Sequence, residues 1–409
     1  MNDVDYVLPV KWSPQQHLLE AAELTEYLQW LSGHVRVIVV DGSGPELFRR
    51  HRELWGEWVT HVAPDPSPFL NGKVTGVHTG MRHATAEAVV IADDDVRYDA
   101  TSLRRTVDLL RDADLVGPQN VFDPMPWHAA WDSARSLLNR AFSADYPGTF
   151  AVRRSTFVRM GGYDGDVLFE NLELMRTVRA HGGTVVRPRD LYVLRHPPTV
   201  DRFLSQRVRQ AFDDVAQPWR LAMFLPVLPG VASGRIGRRV TAVALAGSVL
   251  VAEVGRRRAG GAGWYPPHTS LLAPAWLAER SVCSWVAVAQ RTLLGGVHYA
   301  GRRLGTAAHS NAYLRREAAT RRPLVTPRGL EPRAVRAVTE RLERRPTAAA
   351  EGDRTPLGVD LAALDVEDAE LPAQHQRAVG VRSQDRVLPA DRLAKILDSH
   401  VGADAPDGG

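Results

Sequence analysis

Ala88-Val89-Val90-Ile91-Ala92-Asp93-Asp94-Asp95 is the stretch that decides the fold. Five apolar residues running straight into three acids read as a buried strand whose carboxyl end emerges from the core, because a strand covered on both faces is apolar throughout. Three neighbouring carboxylates repel one another unless solvent or a cation compensates them. Such hard oxygen ligands suit Mg2+ or Mn2+, which takes one or two carboxylates and fills its remaining positions with water or phosphate oxygens. On the three acids alone, a solvated turn capping a helix at residues 101–110 is an equal reading.

Working outward, residues 4–10 and 35–40 are further short apolar runs, and amphipathic stretches at 15–31, 45–55 and 73–84 separate them. This alternation predicts βαβ units around a buried sheet, an α/β fold. Asp41 ends the second run in Val39-Val40-Asp41-Gly42-Ser43, so two strands end in a carboxylate, the edge at which open α/β sheets bind ligands. Lys73 opens the helix before the acidic triplet. The chain has three lysines, Lys11, Lys73 and Lys395, and 48 arginines, so a lysine here points to a compact ammonium; a surface lysine at a helix start is the plain alternative. Downstream, 149–152 reads as a strand, Gly161-Gly162 as a turn, 171–180 as a helix, 184–187 as a strand and 200–216 as a closing helix. His196, before Pro197-Pro198, either approaches the site or orders a turn. No phosphate-binding G-x-x-x-x-G-K-[ST] loop and no third glycine after Gly42-Ser43-Gly44 is present.

The 409 residues carry a net charge of +4, and 44% of them are hydrophobic, which provides for a core. The single cysteine, Cys283, excludes a disulfide framework and a multi-thiolate zinc site. Between Arg235 and Arg345 there are 20 arginines and 6 acids, so the rest of the chain leans acidic. Apolar runs lie inside this zone. Residues 240–254 fall short of the roughly 20 needed to span a bilayer, and 271–294 carries Glu279 and Arg280 in its middle. The pattern predicts helices lying on a membrane surface, or a short hairpin, with Trp264, Trp276 and Trp285 as interfacial anchors; a helical subdomain with a basic surface is the alternative. Because the arginines alternate with aliphatic runs rather than with a base-reading motif, the expected partner is a membrane surface and no nucleic acid. Residues 320–390 have little periodicity, and the chain ends in a polar tail.

Taken in order, Val7-Leu8-Pro9-Val10, Val39-Val40-Asp41-Gly42-Ser43, Lys73, Asp93-Asp94-Asp95, Gly161-Gly162-Tyr163-Asp164, Glu170-Asn171-Leu172-Glu173-Leu174 and Gln206-Arg207-Val208-Arg209 resemble the motifs of family 2 glycosyltransferases with the GT-A fold. The resemblance is to the membrane-associated branch of ceramide glucosyltransferase-like and cellulose-synthase-like enzymes, and it covers residues 4–218. It implies a GT-A mixed sheet flanked by helices over 1–218, a membrane-associated helical region over 219–309 and a mostly disordered tail over 310–409. It further implies metal-assisted, inverting transfer of a sugar from a UDP- or GDP-sugar to a hydroxyl of a lipid or small-molecule acceptor, at the cytoplasmic face of the cell membrane. Pro9, Asp41, Lys73, Asp93, Asp94, Gln206 and Arg209 would bind the donor. Asp93 and Asp95 would hold Mg2+ or Mn2+, and Gly148, Gly162, Tyr163 and Asn171 would shape the acceptor side.

The chain departs from that pattern twice. Asn171 stands where the family carries the aspartate that deprotonates the acceptor, and an amide cannot take up that proton. Glu170 takes the role, or Glu173 one turn along does, or the chain is a scaffold that binds sugar nucleotide or lipid without turnover. Gln210 replaces a tryptophan that would stack on an acceptor sugar, which argues for single transfer over polymer synthesis. A sugar nucleotidyltransferase is the remaining alternative within enzymes.

Overall fold

A computed structural model describes residues 3–299 and 301–321. Its centre is a seven-stranded sheet in the order β3-β2-β1-β4-β8-β6-β9. The strands are β1 (Val4–Val10), β2 (Arg36–Asp41), β3 (Thr60–Val62), β4 (Ala88–Ala92), β6 (Leu115–Val116), β8 (Thr149–Arg153) and β9 (Val185–Val186). The first four are mutually parallel, β8 runs antiparallel to both β4 and β6, and β9 lies parallel to β6. A second sheet places β10 (Tyr192–Arg195) between β5 (Val96–Arg97) and β7 (Gln119–Phe122). The mixed sheet flanked by helices is the architecture expected from the sequence.

Successive side chains of β1 show how the layers form. Tyr6, Leu8 and Val10 enter one core with Leu24, Leu28 and Leu31 of helix α1 (Pro14–Ser32). Val7 enters the other with Val74, Val77 and Met81 of α3 (Gly72–His83), as the two-residue period of a strand requires. Between these helices, α2 (Pro45–Trp55) buries Trp55 completely. The glycine spacing of α3 has a direct cause. A Cβ at Gly76 would come within 2.8 Å of Pro9, and one at Gly80 within 2.3 Å of Val7, so α3 lies closer to β1 than alanine permits. Pro9 therefore supports the helix that carries Lys73.

Helix α4 (Ala100–Asp108) follows the acidic triplet, N-capped by Asp99, and α5 (Trp127–Arg140) follows β7. Next come α6 (Arg154–Arg159) and α7 (Glu170–Ala180). The stretch expected as one closing helix turns at Gln206, giving α8 (Val200–Ser205) and α9 (Arg207–Phe212) before a tight 3-10 turn at Asp213–Ala216.

The basic, apolar region folds onto this frame. Helices α10 (Pro218–Phe224), α11 (Val227–Ala232), α12 (Arg238–Arg257), α13 (His268–Leu271) and α14 (Ala273–Leu294) follow in turn. Ala252, Tyr265, Ala273 and Trp276 share a core with Val121, Leu137 and Tyr192. One expectation is corrected here. Trp276 is 2% exposed and cannot be an interfacial anchor, whereas Trp264 stacks on Tyr192 and Trp285 donates to the Leu225 carbonyl from half-exposed positions. Glu279 and Arg280, the charges inside 271–294, point into the protein. Glu279 accepts from the Trp131 indole at 2.7 Å, and the Arg280 guanidinium is buried 3.5 Å from Asp214. Among the described residues, no helix is long and apolar enough to cross a membrane.

Helix α14 leads into a hairpin of β11 (Val297–Tyr299) and β12 (Arg302–Leu304) and then α15 (Asn311–Ala318), N-capped by Ser310. Residues 311–318, within the stretch expected to begin the unstructured tail, are thus helical and pack beside α7. Residues 322–409, the rest of that expected tail, lie outside the described residues.

Candidate active site

Asp93-Asp94-Asp95 leaves β4 where the parallel strands end, and α3, α7 and β10 bring charge to it. Asn71 caps α3 by accepting from the Lys73 amide at 3.1 Å, which fixes the first turn. Lys73 Nζ then lies 2.6 Å from Asp93 Oδ1, 2.9 Å from Glu170 Oε1 and 3.4 Å from Asn171 Oδ1. On the other side, Arg195 at the end of β10 spans the triplet, with Nη2 3.2 Å from Asp93 Oδ2 and Nε 2.8 Å from Asp95 Oδ2. Gly148 makes room for this clamp, since a Cβ there would meet the guanidinium at 2.9 Å. Asp93, Lys73, Glu170, Asn171, Asp95 and Arg195 thus form one connected charge cluster.

Burial would neutralise these groups, and their mutual attraction overrides it. Desolvation pulls Lys73 down, but Asp93 and Glu170 hold its ammonium well above the ordinary lysine value. Burial pushes Asp93 up, and Lys73 and Arg195 bring it below the usual carboxylate range. Asp94 lacks such a cation; burial and the neighbouring Asp95 raise it, and its Oδ2 accepts from the Trp12 indole at 2.5 Å. The donor set suits a divalent cation. Asp95 Oδ1 is buried without a hydrogen-bond partner. Among the described residues no group of three or more Asp, Glu, His or Cys gathers as a metal site, so a cation here would take its remaining oxygens from phosphate and water.

Other predicted site residues are placed differently. Asp41 is 1% exposed, and both of its oxygens are engaged within the protein: Oδ1 accepts from the Ser43 amide, and Oδ2 faces His51 at 2.6 Å and His61 at 3.1 Å. It shapes the loop after β2 from inside. Glu173 is fully buried and receives the His309 amide at 2.8 Å and its ring at 2.9 Å; it ties residue 309 to α7 and cannot serve as an acceptor base. Gly162 adopts φ +70°, with a Cβ position 2.3 Å from His78, so it serves a buried turn, and Tyr163 packs on His78 and Phe157 in the same place. Arg209 lies over the Tyr299 ring at 4.9 Å. His196 donates its backbone amide to the Asp95 carbonyl at 2.8 Å, while its ring turns to Glu23 at 3.4 Å. Gln206 lines a cavity that Asp95 and Arg195 border. A larger hollow of about 440 Å3, near Arg36 and Trp58, lies at the opposite ends of the strands and holds none of these groups.

Two residues escaped the sequence reading. Arg195 sits in a strand that was not anticipated. Asp213, in the tight turn after α9, has a buried Oδ1 with no partner; burial raises it to about 7, Glu170 and Asp214 adding to the rise while Arg209 and Arg280 oppose it. Its folded-state pKa exceeds the unfolded carboxylate value, so the folded protein holds this proton more tightly. Stability is fully present below about pH 4 and is lost as pH rises through about 7, by a few kcal/mol at most. Asp213→Asn is expected to remove that loss, and urea denaturation at pH 5 and pH 8 would read it; an unchanged pH dependence would refute the assignment.

No protein-family model matches the chain, and none of the curated proteins compared with it does. Among solved structures, it is similar to a mannosyltransferase from Pyrobaculum calidifontis in complex with GDP-Man and Mn2+, with 22% identity over 69% of this chain and 87% of that one and a TM-score of 0.43. It is also similar to glucosyl-3-phosphoglycerate synthase from Mycobacterium tuberculosis in complex with Mn2+, uridine diphosphate and glucosyl-3-phosphoglycerate, with 15% identity over 52% of this chain and 78% of that one and a TM-score of 0.36.

Proposed function

We propose that this chain is a glycosyltransferase of the GT-A, family 2 type, moving a sugar from a UDP- or GDP-sugar to a hydroxyl with inversion at the sugar carbon. The observation that carries the reading is the cluster at the strand ends, where Lys73 bridges Asp93 and Glu170 and Arg195 bridges Asp93 and Asp95. Mg2+ or Mn2+ bound through Asp93 and Asp95 would supply Lewis-acid charge to the donor's diphosphate. Lys73 and Arg195 add fixed positive charge where the leaving nucleoside diphosphate becomes negative, already oriented before reaction. Glu170 accepts the hydroxyl proton as the acceptor oxygen bonds to the sugar carbon and the bond from that carbon to the diphosphate breaks. Asn171 cannot take the proton, and its Nδ2 is spent on the Pro147 carbonyl at 3.0 Å, so it positions the first turn of α7.

The test is a panel of UDP- and GDP-sugars, scored for binding, hydrolysis and transfer with and without Mg2+ or Mn2+. Metal-dependent turnover is expected from at least one donor. Binding without turnover across the panel would replace the enzyme by a scaffold, and condensation of a nucleoside triphosphate with a sugar phosphate would replace it by a nucleotidyltransferase.

We further propose that the enzyme works at the cytoplasmic face of the cell membrane as a peripheral protein of the ceramide glucosyltransferase-like and cellulose-synthase-like branch. Support comes from Val240, Val243 and Leu250 of α12 and Leu293 of α14, all more than 60% exposed, with Arg238, Arg239 and Arg257 exposed on the same helix as the first three. Apolar side chains rimmed by arginines suit an anionic lipid surface. Flotation with vesicles containing anionic lipid is expected at low salt and should weaken as salt rises; protein that stays in the dense fraction at low salt would sink this part.

A further inference from the structure

Beside the charge cluster lies a cavity of about 160 Å3, bordered by Asp95 and Arg195 on one side and by residues of β7, α5, α8 and α9 on the others. An apolar cavity of about this size accommodates a single six-membered carbon ring. Here the lining is mostly polar. Ser133 and Ser136 contribute hydroxyls, and apart from the Asp95 oxygen assigned to the metal, two lining residues carry buried atoms with no hydrogen-bond partner: the Asn120 amide nitrogen and the Gln210 amide oxygen. One donor and one acceptor left unpaired call for a ligand whose groups both donate and accept, as hydroxyls do.

The charges sharpen the chemistry. Each acid in the lining is already matched: Asp145 by Arg135 at 2.9 Å, Asp95 by Arg195 at 2.8 Å and Asp132 by Arg207 at 3.2 Å. Arg202 also lines the cavity, and among the described residues no carboxylate lies within ion-pair distance of it. It is exposed, and Glu20, Asp93 and Asp94 feel its charge without pairing with it. The cavity therefore offers one guanidinium without a fixed counter-charge, a fork suited to phosphate or carboxylate.

We propose that this cavity binds the recognition end of the acceptor, an anionic polyol made of one hydroxylated ring or short chain whose single anionic group Arg202 holds, while the hydroxyl that reacts extends out of the cavity toward Glu170, which is not among its lining residues. The proposal rests on the transferase reading above for the word acceptor; the ligand chemistry rests on the cavity. Calorimetry with inositol 1-phosphate and myo-inositol tests it directly. Wild type is expected to bind the phosphate at least about 10-fold more tightly, the effect of one charge-assisted contact. Arg202→Gln should abolish the difference while myo-inositol binding persists, and Gln210→Leu should weaken both. Equal affinities in wild type, no binding of either, or indifference to both variants would overturn the proposal.

Phosphatidylinositol vesicles distinguish the source of the polyol. Binding to them that free inositol 1-phosphate displaces assigns a lipid headgroup, binding to the free compound alone assigns a soluble acceptor, and binding to neither counts against the site. Transfer assays separate this proposal from the one it rests on. Polyol binding with no turnover from any donor defeats the transferase and leaves the cavity's ligand intact. Transfer that favours neutral or apolar alcohols defeats the cavity proposal and leaves the transferase. In Arg202→Gln, a raised KM for the acceptor is expected, and a raised KM for the donor alone would hand the cavity to the donor and overturn the assignment.

Discussion

Glu170→Gln is expected to lower kcat by about 10^2- to 10^4-fold, the usual contribution of a positioned general base, with the donor's affinity little changed. The substitution keeps the shape of the side chain and removes its capacity to take a proton. Lys73 retains Asp93 at 2.6 Å and Asn171 at 3.4 Å, so the ammonium stays where a leaving diphosphate would need it. Glu173→Gln provides the contrast. That residue is buried against His309, and its replacement should cost stability with a much smaller change in kcat. Steady-state kinetics of the two variants, with donor binding measured separately, decide the matter; full activity in Glu170→Gln would remove Glu170 from the chemistry.

Gly255→Ala is expected to destabilise the protein by about 3 kcal/mol, at the upper end for overpacking, although alanine is the better helix former by about 1 kcal/mol. The reversal arises at one contact. A Cβ on Gly255 would stand 1.9 Å from the Leu137 carbonyl oxygen and 2.9 Å from the Ala141 amide. These are backbone atoms, and they cannot rotate away as a side chain would. Helix α12 would have to lift from α5, opening the core that holds Leu137, Ala252 and Trp276. Gly247, on the same helix, has nothing within 4 Å of its Cβ position, so Gly247→Ala should instead stabilise by up to about 1 kcal/mol. Urea titrations of both variants form the check, and a stabilised Gly255→Ala would mean that the helices do not touch there.

The residues that could be read from the chain alone are those whose role follows from local period. The apolar runs ending in Asp41 and Asp93 are strands ending in acids, and Lys73 does begin a helix beside the triplet. The close seat of α3, set by Gly76 and Gly80 against Pro9 and Val7, needed the sheet. What stayed hidden depends on contacts made across long loops. Arg195 reaches Asp95 from 100 positions away, through a strand of four residues wedged between two others, with no pattern of its own to announce it. Asp41 has the right position for ligand binding, yet His51 and His61, ten and twenty residues on, close over it. Trp276 looked like an anchor because an isolated apolar helix does not say which side its neighbour will cover; α5 decides that. The cavity beside Asp95 is drawn from several elements and left no trace in any one of them.

Helix α5 has one further implication. Ser133, Arg135 and Ser136 form part of the wall of the polyol cavity, and the carbonyl of Leu137, in the next position, is the atom against which Gly255 is seated. The outward side of α12 bears the exposed valines and Leu250. A body resting on that side and a molecule held in the cavity thus lean on the same short rod. If either prefers the rod slightly displaced, the other's affinity changes by the same factor, since binding free energies are reciprocal. Occupancy of the outer surface and appetite for acceptor become two readings of a single helix position.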